Sequence, residues 1–399
     1  MSSPKRILLL DTGNEWGGGT NSMFELLKRI DRTRFDVTCC FYKDYTKGKG
    51  GRLLSDELAH IGIPLLLLPI RKQPLWAKLA KELVRGLLLW SGRLKKRGVF
   101  TIEMLWRIKP RTALLHSLLR EGGYDMLYMN NQPSSNMEGY LAAELSGIPV
   151  VQHARIDVSL ERYEISVVNR IATKVICNSH GLANSLCMQG VSPEKIIVVH
   201  NGIDLSTPIP EKACFDRNGQ ELILGTVGSL VARKCVDHLI LCLAKLNHEL
   251  GIPCRLIVLG EGPELNRLVQ IAKENSIDSS VIFVGFSQNP LEWMQHFDIF
   301  LFASRQEGFG RVLIEAMLCK VPIVSADVVG PNEVVQHGET GFLYPHGDID
   351  ALVNYVSLMN SDAALRQHLG EAGFRRVVAK FSIEAYISGV AMVFAEAMA

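Results

Sequence analysis

Nine consecutive residues have the types and spacing to hold an extended anionic ligand: Glu307-Gly308-Phe309-Gly310-Arg311-Val312-Leu313-Ile314-Glu315. Glycine has no Cβ, so Gly308 and Gly310 let the backbone come close to a bound molecule. The stretch follows an apolar run that ends at Phe302, and residues 310–318 read as the beginning of a helix. A first helical turn carries unpartnered N–H groups and the positive end of the helix dipole, which suits a diphosphate. Were the stretch helical throughout, Glu307 and Glu315 would stand about 12 Å apart, a span that fits the two ends of one extended ligand.

Such a helix start needs a strand before it, and the chain supplies strands throughout. Short apolar runs alternate with longer helical patterns, the mark of a parallel α/β sheet. In the first half the runs are 6–11, 36–41, 64–68, 125–129, 149–153, 174–178 and 195–199; in the second they are 222–227, 255–260, 281–285, 298–302, 322–326 and 341–344. Amphipathic segments such as 236–250 and 264–275 fit between them as helices. The pattern restarts near residue 220, after the proline-rich stretch 204–210. We therefore expect a first domain over 1–208, a second over 209–380, and a last helix over 381–399 that packs back toward the first domain. Two doubly wound domains leave a crevice where the carboxyl ends of their strands meet, and ligands bind at such ends.

Composition narrows the class. The chain has 399 residues, 47% hydrophobic and 21% charged, which suits two well-filled cores. Its net charge of +2 gives no general attraction for nucleic acid. The nine cysteines form no C-x-x-C pair and mostly sit in apolar runs, so they read as buried thiols of a reducing compartment. The apolar run after Lys5 and Arg6 is too short for a signal peptide, and no window of about twenty apolar residues exists to span a membrane. A cytoplasmic protein is expected.

One segment departs from the pattern. Residues 71–111 hold twelve basic side chains against two acidic ones, Glu82 and Glu103. Trp76, Leu79, Leu83 and Leu87 fall on one helical face among them. An apolar face flanked by lysine and arginine suits an anionic membrane surface, and peripheral attachment to the inner face of the cell membrane follows as an expectation. The plainer reading is an ordinary helix with a solvated basic side.

The nine-residue stretch resembles the E-x7-E motif of retaining glycosyltransferases of the GT-B fold, family four in particular. The likeness continues through Gly330-Pro331-Asn332-Glu333 and the run from Gly338 to Pro345. Upstream, Val227-Gly228-Ser229-Leu230-Val231-Ala232-Arg233-Lys234 resembles the family's basic phosphate-binding loop, and Trp16-Gly17-Gly18-Gly19 its glycine loop. The family usually has arginine where Ser229 stands, glycine where Cys235 stands and an apolar residue where Arg311 stands.

The resemblance implies an α/β protein of the GT-B fold, two Rossmann-like doubly wound domains facing across a deep cleft. It implies that Glu307 lies by the donor sugar, that Glu315 binds the ribose hydroxyls, and that the backbone of Gly308, Phe309, Gly310, Arg311 and Val312 holds sugar and diphosphate. Lys234 would neutralise the departing diphosphate, with Arg233 and Ser229 beside it. Gly17 and Gly18 would approach the phosphate from the first domain, Gly285 and Phe286 would border the base, and His153, after a strand end, would face the sugar. Arg155 is placed near the acceptor or a phosphate, and Glu333 near the sugar pocket.

The implied chemistry is coherent. Breaking the bond between sugar and phosphate builds positive charge at the anomeric carbon and negative charge on the diphosphate. A lysine and aimed amides in a dry cleft stabilise the latter, each donor worth about 3 kcal/mol. The relatives so resembled need no divalent metal or other cofactor, and no aspartate cluster in the sequence suggests one. The expected partners are a UDP- or GDP-sugar and a glycan or lipid-linked acceptor. A GT-B epimerase or phosphorylase, and a non-catalytic partner of a membrane glycosyltransferase, are the alternatives.

Overall fold

The computed structural model describes residues 3–399 apart from 14, 15, 49, 50, 71, 207, 218 and 220, and apart from the side chain of Arg93. Arg71 and the Arg93 side chain, both counted in the basic segment, thus lie outside the described residues, as does Thr207 in the proline-rich stretch.

Among the described residues, thirteen strands form two parallel sheets. The first contains β1 (Lys5–Asp11), β2 (Phe35–Phe41), β3 (Leu65–Leu67), β4 (Met126–Asn130), β5 (Val150–Ala154), β6 (Lys174–Cys177) and β7 (Ile196–Val198), in the order β3-β2-β1-β4-β5-β6-β7. The second contains β8 (Leu222–Val227), β9 (Cys254–Leu259), β10 (Val281–Gly285), β11 (Ile299–Phe302), β12 (Ile323–Ala326) and β13 (Gly341–Tyr344), in the order β10-β9-β8-β11-β12-β13. Every apolar run expected to be a strand is one, with bounds shifted by a residue or so at each end.

Both sheets are covered on both faces, which is why their strands read as continuous apolar runs. In β1, Ile7 and Leu9 enter one core while Leu8 and Leu10 enter another on the opposite face. The second domain has its own pair of cores, with Leu224 and Leu256 on one face and Ile223 and Ile257 on the other. The order reverses between β1 and β4 in the first sheet and between β8 and β11 in the second. Loops leaving the carboxyl ends of those four strands therefore border the crevices where doubly wound sheets take ligands.

The chain crosses between the sheets twice, and the crossings lie side by side. Ile203 N–H donates to Phe381 O at 2.9 Å, and Ile383 N–H donates to Ile203 O at 3.0 Å. The last helix, Ile383–Ala397, then lies on the first sheet, where Tyr386, Val390, Val393 and Phe394 join the core of Ile7, Val37 and Val151.

Two helical expectations need adjustment. The segment 236–250 is α-helical only over Val236–Ala244 and finishes in a wider π turn, Lys245–Glu249. The basic segment is a hairpin of two helices, Leu75–Leu87 and Gly92–Glu103. An ion pair between Lys81 and Glu103 joins them. Gly98 packs so tightly on Val84 that a Cβ there would come within 2.7 Å of Cγ1.

Candidate active site

The loop after β8 and the loop after β11 meet. The first turns through Ala232–Lys234 and presents Arg233 and Lys234. The second carries Gln306 and Glu307 into the helix Arg311–Leu318. Lys234 Nζ lies 2.5 Å from Glu307 Oε2, and Arg233 Nη1 lies 3.5 Å from the same oxygen. The lysine also sits over the Phe302 ring, 5.0 Å from its centroid. Burial alone would raise the Glu307 carboxyl; the charges of Lys234 and Arg233 and the Gly308 N–H overrule it and hold the group below its usual range. Glu307 is thus a fixed anion between two cations. A cavity of about 10 Å³, room for roughly one water, is lined by Lys234 together with Gly228, Ser229 and Ser304.

The helix begins at Arg311, with Gly310 before it at φ 83°, a left-handed backbone that favours glycine. Residues 307–310 are therefore not helical, and the separation derived for a continuous helix does not apply. Leu313 N–H donates to Gly310 O at 2.9 Å, while the N–H groups of Arg311 and Val312 at the helix start have no carbonyl one turn earlier. One turn in, Arg311 Nε stands 3.2 Å from Glu315 Oε1. The contact is an ion pair without hydrogen-bond alignment, and Arg311 Nε and Nη1 find no hydrogen-bond partner among the described residues. Burial raises the Glu315 carboxyl; Arg311 opposes the shift, and Glu25 on the first domain's helix Gly18–Arg29 adds to it. A carboxylate beside a guanidinium with unused donors is well placed to meet paired hydroxyls and phosphate oxygens.

Gly308 has a role that its sequence context hides. A Cβ there would stand 2.1 Å from Arg155 O and 3.0 Å from Asn178 Nδ2, and Ser179 Oγ donates to Gly308 O at 2.8 Å. A first-domain carbonyl thus fills the space where a side chain at 308 would go, and Gly330 packs on Gly308 from the second domain. Phe309 is core: its ring packs edge-on to Phe381, with centroids 5.4 Å apart. Val312 packs against the same core.

The remaining expected residues fall in several places. Gly17 caps the helix Gly18–Arg29, and a Cβ at Gly17 or Gly18 would meet nothing within 4 Å. Gly19 lies against the Arg155 side chain, so this glycine turn borders the same seam. Gly285 ends β10 beside Glu261, and the Phe286 ring presses on Gly48 of the first domain.

His153 differs from its expectation. His153 is the next-to-last residue of β5, and alternation puts it with Val151 on the sheet face beneath the last helix. It is fully buried, with Nδ1 2.8 Å from the Tyr128 hydroxyl and its ring 6.4 Å from that of Tyr386. Burial, and then the charge of Arg155, hold it well below the usual histidine range, so the ring is neutral. Its Nε2 has no hydrogen-bond partner among the described residues.

Arg155, expected to face an acceptor or a phosphate, is 6% exposed and spends its donors inside the protein. Nε donates to Asn130 Oδ1 at 2.8 Å, Nη1 to Asn201 Oδ1 at 3.0 Å and Nη2 to the Tyr386 hydroxyl at 3.3 Å. Asn130 Nδ2 in turn donates to Asp11 Oδ2 at 2.6 Å. The arginine joins β1, β4, the crossing segment and the last helix, and in this arrangement it presents no free fork to an acceptor.

Other contacts of the seam were not foreseen from sequence, among them that of Glu333, expected near the sugar pocket. Glu333 Oε2 accepts from His180 N–H at 2.6 Å and Gly181 N–H at 3.3 Å, and Oε1 pairs with His200 Nε2. Burial would raise this carboxyl, but the His200 contact and the two amides lower it overall. A second-domain carboxylate thus sits at the N-terminus of a first-domain helix, where the dipole favours it. Ser179 caps that helix, accepting from Leu182 N–H at 3.1 Å. Nothing local indicated that it would also reach Gly308.

Two family models match consecutive parts of the chain: Glycosyltransferase Family 4 over residues 16–207 and Glycosyl transferases group 1 over residues 211–376. Among curated proteins, the chain is 32% identical over 222 residues to the N-acetyl-alpha-D-glucosaminyl L-malate synthase of Bacillus anthracis, covering 53% of this chain and 56% of that one. It is 27% identical over 285 residues to the capsular polysaccharide biosynthesis glycosyltransferase CapM of Staphylococcus aureus, covering 63% and 71%. The match therefore spans little more than half the length of the Bacillus protein. Among solved structures, Alr3699/HepE of Anabaena in complex with UDP superposes with a TM-score of 0.74 at 22% identity, covering 98% of this chain and 100% of that one. Its doubly wound sheets and the two matched models together place this chain in the glycosyltransferases of the GT-B fold, of the family-four type.

Proposed function

We propose that this protein is a retaining glycosyltransferase that moves a sugar from a UDP- or GDP-sugar to a glycan or lipid-linked acceptor in the synthesis of a cell-surface polysaccharide or glycolipid. The observation that carries the reading is the meeting of Lys234, Arg233 and Glu307 in front of the helix that starts at Arg311. In this reading the diphosphate lies between Lys234, Arg233 and the first N–H groups of that helix. Its charge there exchanges with that of Glu307, which turns to the sugar. Glu315 and Arg311 take the ribose end, and Gly285 and Phe286 take the base. Two cations and aimed amides stabilise the leaving group, so the reading assigns no step to a divalent ion. The acceptor hydroxyl attacks from the face the diphosphate leaves, which retains configuration at the anomeric carbon. The names of CapM and of the HepE complex with UDP support a sugar-nucleotide donor and a surface glycan product.

The test is direct. Purified protein with UDP-, GDP- and ADP-sugars and a membrane extract should release nucleoside diphosphate from one of them and transfer label to lipid-linked material. The same nucleotide should raise the melting temperature by mass action. Release from none of the panel, with no thermal shift, would refute the reading.

The helix hairpin is proposed to lie on the inner face of the cell membrane. No described helix is long and apolar enough to cross one, yet Leu75, Leu79, Leu83 and Leu87 form a row along one helix and are 62–78% exposed. Trp76, Leu89 and Trp90 extend this patch, and Lys96 and Arg97 lie exposed on the next helix. Apolar rows of that length on a water-facing surface mark an interaction site. Vesicles rich in anionic lipid should sediment the protein, and neutral vesicles should do so less. At about 1 kcal/mol per basic residue, the triple change K95E/K96E/R97E should weaken partitioning by roughly a hundredfold. L79E/L83E should abolish it even at low salt. Equal sedimentation of all three proteins would dismiss the membrane assignment.

A further inference from the structure

Beside the basic loop, three side chains with metal-binding atoms converge. Cys235 follows Lys234 directly and precedes the helix Val236–Ala244, His238 lies in that helix's first turn, and His346 follows β13. One ligand atom from each lies within 4.8 Å of the other two. The two imidazole rings have centroids 5.4 Å apart.

Independent observations set this cluster apart from a chance meeting. Cys235 has φ 47° and ψ 43°, a left-handed backbone that side-chain-bearing residues adopt at a cost and glycine adopts freely. Its Sγ faces the carbonyl oxygens of Ala232 at 3.5 Å and Arg233 at 3.7 Å, weak partners for a thiol, and the Arg305 N–H, a contact that favours the thiolate a metal needs. His238 Nδ1 is buried and has no hydrogen-bond partner among the described residues. The Tyr344 hydroxyl, at the end of β13 and two residues before His346, is also buried and unpartnered among them. His346 is exposed, so an ion can enter from that side.

We propose that Cys235, His238 and His346 form a binding site for a thiophilic divalent cation, zinc foremost. Sulfur and two imidazoles are a ligand set that zinc takes in tetrahedral geometry, with the fourth position left to water. Binding exchanges the thiol proton of Cys235 for the metal–sulfur bond, and the proton leaves to solvent. The ion ties the loop carrying Arg233 and Lys234 to the loop after β13, so occupancy braces that loop. Neither the ion nor the bracing depends on which donor the protein uses.

Cobalt(II) is the probe, added to reduced, chelator-treated full-length protein. One equivalent should produce a thiolate-to-cobalt charge-transfer band, and zinc should displace it. The band isolates this site from the His180, His200 and Glu333 cluster, which has no sulfur. C235S and C235G should lose the band, and C235G also keeps the fold because glycine suits that backbone. H238A and H346A should lower affinity by about 100-fold, the upper end of what losing a mere outer-shell partner costs. C214S, at an exposed cysteine, should change nothing. Zinc should raise the melting temperature and slow amide exchange over residues 228–238 in the unaltered protein and in neither Cys235 variant. A missing band, or one that persists in C235G, overturns the site. Binding without slower exchange overturns the bracing.

Discussion

Lys234→Ala should lower kcat for release of nucleoside diphosphate by roughly 100- to 1,000-fold, the loss typical of one aimed donor to a developing anion. Lys234 lies nearest to Glu307, and Arg233, a full ångström farther, is the second cation that lowers that carboxyl. Arginine at 234 should recover part of the rate, because it restores charge but not the compact ammonium geometry. The pH profile gives a second readout. Lys234 is the largest influence holding the Glu307 carboxyl down, so its removal lets that pKa rise. If the rate needs ionised Glu307, the acid limb of K234A moves to higher pH, with unchanged turnover above it relative to the variant's own plateau. A variant with wild-type kcat and an unmoved acid limb would remove Lys234 from the chemistry.

Arg155→Met should cost stability rather than acceptor affinity. The guanidinium is buried and donates to Asn130, Asn201 and Tyr386. Removing one member of a buried charged network leaves its partners unpaired, a loss of about 3–5 kcal/mol. At roughly 2–4 °C per kcal/mol for a chain of this domain size, Tm should fall on the order of 10 °C. Asp11, whose carboxyl burial already raises, loses an opposing charge and should rise further. Tm within two degrees of the unaltered protein, together with a raised KM for acceptor alone, would return Arg155 to the acceptor role. Thermal unfolding and acceptor kinetics on one preparation separate the two.

The strands were legible because both sheets are parallel and covered on both faces. Burial on two sides selects uninterrupted apolar runs, and such runs are visible without knowing what they pack against. The site was legible in part. Lys234 and Glu307 lie in loops after strands on either side of an order reversal, and 73 positions of chain separate them. Each could be nominated from its own loop, but their contact could not be computed from spacing. His153 was legible as a residue at the end of an apolar run, but not what covers it: Tyr128 and Tyr386, which flank its ring, come from another strand and from the last helix.

The order of residues alone determined that this chain folds as two doubly wound sheets, that a helix start follows a glycine-bearing loop near residue 310, and that a basic segment with an apolar helical face interrupts the first half. Those features are local, set by hydrophobic period and by glycine's freedom at the backbone. Tertiary structure alone decided what lies along the seam: Arg155 as a buried tie, Gly308 against a carbonyl of the other domain, Glu333 at the head of a first-domain helix, and Cys235 between two histidines. Each joins segments whose distance along the chain carries no energy, so only the packing of one sheet on the other could bring them together.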